Sequence, residues 1–268
     1  MTKQHTLLAI DTSTATMAGA ILQQGKVIAE VQTEAERNHS LHIMTNIESM
    51  LKEASMSVRD ITAFVTGIGP GSYTGVRIAV TAAKTLAWST GKPVIGVSSL
   101  EALAYGALLQ VEEQGQERLQ HDKAVIIPLM DARRGQVYTA AFQADSAGKW
   151  DRLHNDHIVL MNDWCQLLQE QLLHYAQEDV TELWFVGDAQ LHEEAIERLT
   201  IIANQQSLTV RSLSTAMYGE AIAQLGAAKL LEMTEAELTV VHDLVPNYAQ
   251  LTEAEVKQNA KEREEGRA

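Results

Sequence analysis

Short apolar runs separated by polar turns open the chain and predict a β-meander. The runs at residues 6–10, 17–22 and 27–32 have the length of strands, and the turn at residues 23–26 contains a glycine suited to a tight hairpin. From residue 38 to residue 54 the apolar positions change to a helical spacing. We therefore expect an antiparallel meander followed by an amphipathic helix.

Strands and helices alternate through the rest of the chain. The predicted strands cover residues 61–66, 94–97, 124–130, 136–143, 183–186 and 208–211. The predicted helices cover residues 76–90, 100–109, 163–177 and 193–199, with a last long helix that is capped at Ser214 or Thr215 and ends near residue 232. Residues 145–155 are expected to form a loop. A meander followed by strand–helix alternation is typical of an α/β fold with a mixed sheet.

The length of 268 residues predicts two domains. Residues 110–123 are polar and charged, so we place a boundary there. The first domain then comprises residues 1–109, with part of residues 215–249 packing back on it, and the second comprises residues 110–214. Residues 250–268 are rich in Glu, Lys and Arg and are expected to form a flexible tail.

Composition limits the classes of function. The formal net charge of −14 makes the lone chain a poor binder of nucleic acid, because phosphate contacts need clustered Lys and Arg. Cys165 is the only cysteine, which excludes an intrachain disulfide and fits a reducing compartment. The N-terminal residues have no signal-peptide pattern, and no apolar run is long enough to cross a membrane. We expect a cytoplasmic protein with no membrane contact.

A glycine-rich loop lies between an apolar strand and a helix at residues 69–77, Gly-Pro-Gly-Ser-Tyr-Thr-Gly-Val-Arg. Its glycines allow unusual backbone conformations and close approach, and the helix start that follows presents free N–H groups. One interpretation is contact with an anion or a partner; the other is a tight turn that packs the helix close to the sheet. The candidate phosphate-loop residues are Gly69, Gly71, Ser72, Thr74, Gly75 and Arg77.

A second polar turn follows the first strand, at a strand end where ligands collect in α/β proteins. It offers one carboxylate and several hydroxyl groups, and its candidate residues are Asp11, Thr12 and Ser13. The alternative is a turn whose side chains bond to their own backbone.

The helix predicted at residues 40–54 has more apolar positions than one buried stripe needs. The surplus indicates either a partner protein or a helix enclosed between elements of its own chain. The predicted interface residues are His39, Leu41, Met44, Ile47 and Leu51. His39 and His42 are three residues apart, but no third ligand lies nearby, so no metal site is predicted.

Three stretches together resemble the TsaB (YeaZ) family of bacterial proteins, which takes part in making threonylcarbamoyladenosine in tRNA. They are residues 8–13, the glycine-rich loop, and residues 130–138, Met-Asp-Ala-Arg-Arg-Gly-Gln-Val-Tyr. The resemblance implies the actin/sugar-kinase/Hsp70-like fold, with a mixed, meander-containing sheet in each of two domains. It also puts residues 11–14 where that fold holds nucleotide phosphate.

The resemblance implies a non-catalytic subunit that dimerises with a TsaD-type catalytic subunit, joined by a TsaE-type ATPase. We expect the partner to contact the helix at residues 40–54 and the helix at residues 76–88. The lone chain would form a homodimer without a cofactor, ATP or ADP could bind at the interface with the partner, and tRNA would be met only through the complex. Two departures from the pattern of the catalytic TsaD-type subunit agree with a non-catalytic role. His39 and His42 are three residues apart, whereas the metal-binding histidines of that subunit are four apart, and residues 130–133 replace a phosphate turn. The alternative is a self-contained ATP-binding enzyme. The family's Tyr-Leu-Arg near the C-terminus is altered here, since Gln250 replaces the arginine.

Overall fold

The computed structural model describes residues 5–34, 39–113, 123–234, 238 and 241–249. Within these residues ten strands form two mixed sheets of five strands each. The predicted tail from residue 250 onward lies outside the described residues, as does most of the expected connection at residues 110–123.

The first sheet begins with the predicted meander. Its strands are β1 (Thr6–Asp11), β2 (Thr16–Gln23), β3 (Lys26–Glu34), β4 (Ala63–Gly67) and β5 (Val94–Val97), in the order β3-β2-β1-β4-β5. β1 pairs antiparallel with β2 and parallel with β4. The hairpin turn between β2 and β3 places Gln24 and Gly25 at positive φ, which explains the glycine.

Three helices accompany this sheet: α1 (His39–Glu53), α2 (Tyr73–Thr90) and α3 (Ser99–Glu113). α1 and α2 cover one face, where Ile43, Ile47 and Met50 pack with the small residues of α2. Ala79, Ala83 and Ala87 are buried there, and their small side chains bring α2 close to the sheet.

The second sheet repeats the strand order of the first. Its strands are β6 (Lys123–Asp131), β7 (Gln136–Asp145), β8 (Trp150–Leu160), β9 (Val180–Gly187) and β10 (Thr209–Leu213), in the order β10-β9-β6-β7-β8. The helices that follow are α4 (Met161–Gln177), α5 (Glu193–Gln205) and α6 (Gly219–Glu232). α4 and α5 pack on one face of this sheet. α3 and α6 belong to the core cluster that contains residues of both sheets.

The repeated meander and the mixed sheets confirm the predicted α/β fold class. The expectation of a loop at residues 145–155 was wrong in part: Asp145 ends β7, and residues 150–155 begin the edge strand β8. This strand pairs with β7 alone and carries charged, partly exposed side chains such as Asp151 and Arg152. It therefore lacks the apolar run that identifies a buried strand.

The last helix begins later than predicted, at Gly219 rather than at a Ser214 or Thr215 cap. A Cβ built on Gly219 would overlap the backbone of Gly19, and one on Gly226 would overlap Val65. These two glycines let α6 lie directly on the first sheet, a requirement that helix-cap rules do not include. In the described ranges, no helix combines the length and apolar character needed to cross a membrane.

Candidate functional site

The polar turn after β1 and the glycine-rich loop are bonded to each other. Asp11 is fully buried, and its Oδ1 accepts the Ser13 N–H at 2.5 Å. Its Oδ2 accepts the hydroxyl of Ser99, at the start of α3, at 2.6 Å. The same Ser99 oxygen accepts the N–H of Gly69 at 3.0 Å. A buried chain of hydrogen bonds thus joins β1, the glycine-rich loop and α3.

The loop also contacts the backbone of the turn directly. The Thr12 hydroxyl donates to the carbonyl of Gly75 at 2.6 Å, and the Ser72 N–H donates to the carbonyl of Ser13 at 2.7 Å. A Cβ on Gly71 or on Gly75 would overlap the turn. The glycines therefore allow close packing between two segments of this chain, which favours the tight-turn interpretation of the loop. A phosphate-binding role for these residues stays a prediction.

Ser72 begins α2 as its N-cap, with its Oγ accepting the Gly75 N–H at 3.3 Å. The helix starts at Tyr73, three residues earlier than expected. Arg77 donates from Nη1 to the Tyr73 hydroxyl at 2.9 Å, and its guanidinium lies 5.0 Å from the centre of the Tyr73 ring.

A cleft of about 1070 Å³ lies between the two sheets, next to this junction. Its lining residues include Ser13, Ser72, Thr74, Asp131, Arg133, Tyr138 and Asp188. Ser13 is 3% exposed, and within the described part of the chain its Oγ has no hydrogen-bond partner. Burial raises the pKa of the Tyr138 phenol above its ordinary value. The described residues contain no group of three or more His, Cys, Asp or Glu placed to hold a metal ion.

A separate apolar groove of about 500 Å³ runs between α1 and α2; we call it the helix groove. Its lining includes Ile43, Met44, Tyr73, Ile78, Thr81 and Leu86. Met44 and Tyr73 are large side chains that remain about half exposed, at 46% and 52%. An open apolar groove with such side chains at its edge can accommodate another protein's helix.

The predicted interface residues on α1 separate into three groups. Met44 lines the helix groove, and its contact with a partner stays a prediction. The prediction that Ile47 contacts a partner is corrected by the structure. Ile47 is 1% exposed and packs in the core beneath the first sheet, because α1 is enclosed on that side by its own chain. Leu51 is partly buried against the same core. The side chains of His39 and Leu41 lie outside the described residues.

Sequence reasoning expected a second partner contact on the helix at residues 76–88, but it named no residue of α2 in the groove. Tyr73, Ile78 and Leu86 line it, and Trp88, further along α2, is 69% exposed. The signal was present in the spacing of residues 74, 78, 81, 85 and 88, which fall on one helical face. Threonines at three of these positions made that stripe look polar.

Known proteins share the sequence pattern and the fold of this chain. A family model described as TsaD, tRNA N6-adenosine threonylcarbamoyltransferase, matches residues 26–258. Two solved structures of YeaZ-type proteins from Pseudomonas aeruginosa, one described as similar to the peptidase YeaZ, share the fold. Their TM-scores are 0.69 and 0.66 at 22% and 21% identity, and they cover 92% and 91% of this chain and 100% and 99% of their own.

The curated relatives narrow the assignment to one family. The Bacillus subtilis protein named tRNA threonylcarbamoyladenosine biosynthesis protein TsaB is 38% identical over 94% of this chain and 97% of its own length. The Escherichia coli protein of the same name is 37% identical over 54% of this chain and 58% of its own. The chain belongs to the TsaB family, as the three sequence stretches indicated.

Proposed function

We propose that this chain is the non-catalytic subunit that pairs with a TsaD-type subunit, and that threonylcarbamoyl transfer to N6 of adenosine in tRNA requires the pair. The observation that carries the proposal is the helix groove. Family membership places the chain in threonylcarbamoyladenosine biosynthesis, and the groove supplies a surface on which a partner can be held.

The groove has the composition of a protein interface. Met44, Tyr73 and Arg77 line it, and Met, Tyr and Arg are enriched where partners bind. Trp88 extends the exposed face of α2 beyond the groove. Ile43 and Leu86 form an apolar floor that belongs partly to the core, so the surface is already shaped before a partner arrives. An amphipathic helix of the partner would fit this surface.

Two side chains that could do chemistry, those of Asp11 and Cys165, are buried. The Asp11 carboxylate is fully buried and accepts hydrogen bonds from Ser13 and Ser99, which leaves it poorly placed to meet a substrate. Cys165 is buried, and burial raises the pKa of its thiol to about 11, although the nearby Arg198 charge opposes the shift. A thiol with that pKa is a weak nucleophile at neutral pH. These features support an accessory role.

The acidic composition of the chain also supports an accessory role. With a net charge of −14 the chain contributes little attraction to tRNA, so the partner supplies the contacts to the nucleic acid. In this proposal a TsaE-type ATPase joins the complex, and ATP or ADP binds where the two main subunits meet. The lone chain pairs with a second copy through the exposed helix groove.

Co-expression with a TsaD-type subunit from the same source tests the proposal. Size-exclusion chromatography with light scattering should show a stable heterodimer, and a tRNA modification assay should lose activity when this chain is omitted. If the partner modifies tRNA equally well without this chain, the proposal is wrong. A lone chain that stays monomeric at high concentration would contradict the homodimer.

A second candidate function is ATP binding by the chain itself. It is favoured by one observation: the buried Ser13 hydroxyl lacks a partner among the described residues and lines the cleft beside the start of α2. Isothermal titration of the isolated chain with ATP separates the two candidates. The accessory role predicts weak or no binding, whereas tight binding with hydrolysis would favour an enzyme.

A further inference from the structure

Residues 241–249, which we call the C-terminal strap, return to the first sheet after α6. Lys84 on α2 donates through Nζ to the carbonyls of His242 and Leu244, at 2.9 and 2.8 Å. The Leu244 side chain packs beside Gly96 of β5, where a Cβ would overlap it. The strap is therefore held on the first sheet by hydrogen bonds and by an apolar anchor.

Asn247 connects the strap to both sheets. Its backbone N–H donates to the carbonyl of Ile68, just beyond β4, at 2.6 Å. Its side-chain Nδ2 donates to Oδ2 of Asp156 on the edge strand β8, at 3.3 Å. The other oxygen of Asp156 accepts from Arg152, which also bonds to Glu101 on α3. Asn247 is thus tied to a charged network that joins the second sheet to α3.

The next residue, Tyr248, places its aromatic ring beside Tyr73, which lines the helix groove. The ring centres of Tyr248 and Tyr73 are 5.0 Å apart. Arg77 also contacts Tyr73: it donates a hydrogen bond to the hydroxyl, and its guanidinium lies over the ring. Tyr73 is 52% exposed and lines the groove, so neighbouring side chains rather than burial must fix its orientation. Two neighbours do so, and one of them is carried by the strap.

We infer that Asn247 is a positioning residue for the helix groove. By bonding to Ile68 and Asp156 it holds the strap so that Tyr248 fixes the Tyr73 ring in the orientation that the partner meets. This inference rests on the proposed function, because the partner is the TsaD-type subunit. It adds that the affinity of the helix groove for the partner depends on the bond between Asn247 and Asp156 of the second sheet. Asn247 itself lies on neither α1 nor α2.

The test is a double-mutant cycle in the full chain, read out as affinity for the TsaD-type subunit by isothermal titration. Asn247→Ala keeps the backbone bond to Ile68 and removes only the bond to Asp156, so we expect affinity to fall about fivefold, the usual worth of such a hydrogen bond. In a Tyr73→Ala background the same change should cost less than about twofold, because Asn247 acts through that ring. Asn204→Ala, an exposed position on α5, is the matched control and should bind as the wild type does.

Each outcome decides the inference. Wild-type affinity of Asn247→Ala, or independent effects of Asn247→Ala and Tyr73→Ala, would overturn it while leaving the proposed function intact. A wild-type chain that does not bind the partner would overturn both. If Asn247→Ala does not fold, Tyr248→Ala replaces it in the cycle: it keeps both Asn247 bonds, it should weaken binding to a similar extent, and unchanged binding would overturn the inference.

Discussion

Thr12 and Gly75 are 63 positions apart in the sequence and bond directly to each other. The Thr12 hydroxyl donates to the Gly75 carbonyl at 2.6 Å, and a Cβ on Gly75 would overlap the Thr12 carbonyl oxygen. The start of α2 is therefore locked onto the turn after β1. This contact orients the helix that forms one wall of the helix groove, and it fills space beside the turn with the chain's own backbone.

Gly75→Ala should destabilise the fold, against the usual trend. Alanine in place of glycine inside a helix normally stabilises by up to about 1 kcal/mol. Here the new methyl group must displace the backbone of the buried turn, so we expect the free energy of unfolding to fall by about 2–3 kcal/mol. Chemical denaturation measures the change, and exposed Thr74→Ala, in the same helical turn, should stay within about 0.5 kcal/mol of wild type. A stabilised Gly75→Ala variant would contradict the packing described.

Ser99→Ala tests the buried hydrogen-bond chain that joins β1 to α3. The change leaves the Asp11 carboxylate without one donor and the Gly69 N–H without its acceptor. Burial makes both losses costly, so the free energy of unfolding should fall by about 2–3 kcal/mol. The side-chain Oγ of the neighbouring Ser98 accepts the Glu101 N–H as a helix cap, and Ser98→Ala should cost about 1 kcal/mol. Equal stability of the two variants would show that the Ser99 bonds contribute little.

Stability should decrease at alkaline pH. Burial raises the pKa of Cys165 to about 11 and that of Tyr175 to about 12, above their ordinary values of 9.0 and 10.0. The unfolded chain therefore loses these protons first, and ionisation pulls the equilibrium toward it as pH rises above about 9. Denaturation midpoints from pH 8 to pH 11 measure the trend, and Tyr175→Phe should flatten part of it. A midpoint that is constant over this range in wild type would refute the assignment.

Much of the fold was readable from local pattern. The short apolar runs of residues 6–32 predicted the meander that β1, β2 and β3 form. The strand β8 was not predicted, because an edge strand that carries Asp151 and Arg152 has no apolar run. The start of α6 was predicted wrongly, because it depends on the contact of Gly219 with Gly19, which is 200 positions away in the sequence.

The candidate site was only partly predictable for the same reason. The loop and the turn were recognised separately, yet their mutual contact depends on tertiary packing that no short pattern encodes. The surplus apolar face of α1 supported either a partner or burial in its own chain. The structure buries Ile47 in the core and leaves Met44 in the open helix groove, where partner contact stays a proposal. The strap, with Asn247 and Tyr248, had no sequence signal that connected it to α2.

Ile47→Glu should unfold the protein rather than merely block a partner. Its side chain is 1% exposed among apolar neighbours, and a buried unpaired carboxylate is strongly destabilising. We expect a loss of more than about 3 kcal/mol in the free energy of unfolding, measured by denaturation of the lone chain. A stable, fully folded Ile47→Glu variant would show that α1 is not enclosed as described.

The affinity of Met44→Glu for the TsaD-type subunit tests the central claim most directly. Met44 lines the groove and is 46% exposed, so the variant should fold normally while placing a charge in an apolar contact. Thr45→Glu is the matched control, since Thr45 is the exposed neighbour outside the groove lining. By isothermal titration we predict at least about thirtyfold weaker binding for Met44→Glu, the size of an interface hot spot, and near wild-type binding for Thr45→Glu. Equal, tight binding by both variants would show that the helix groove is not where the partner docks.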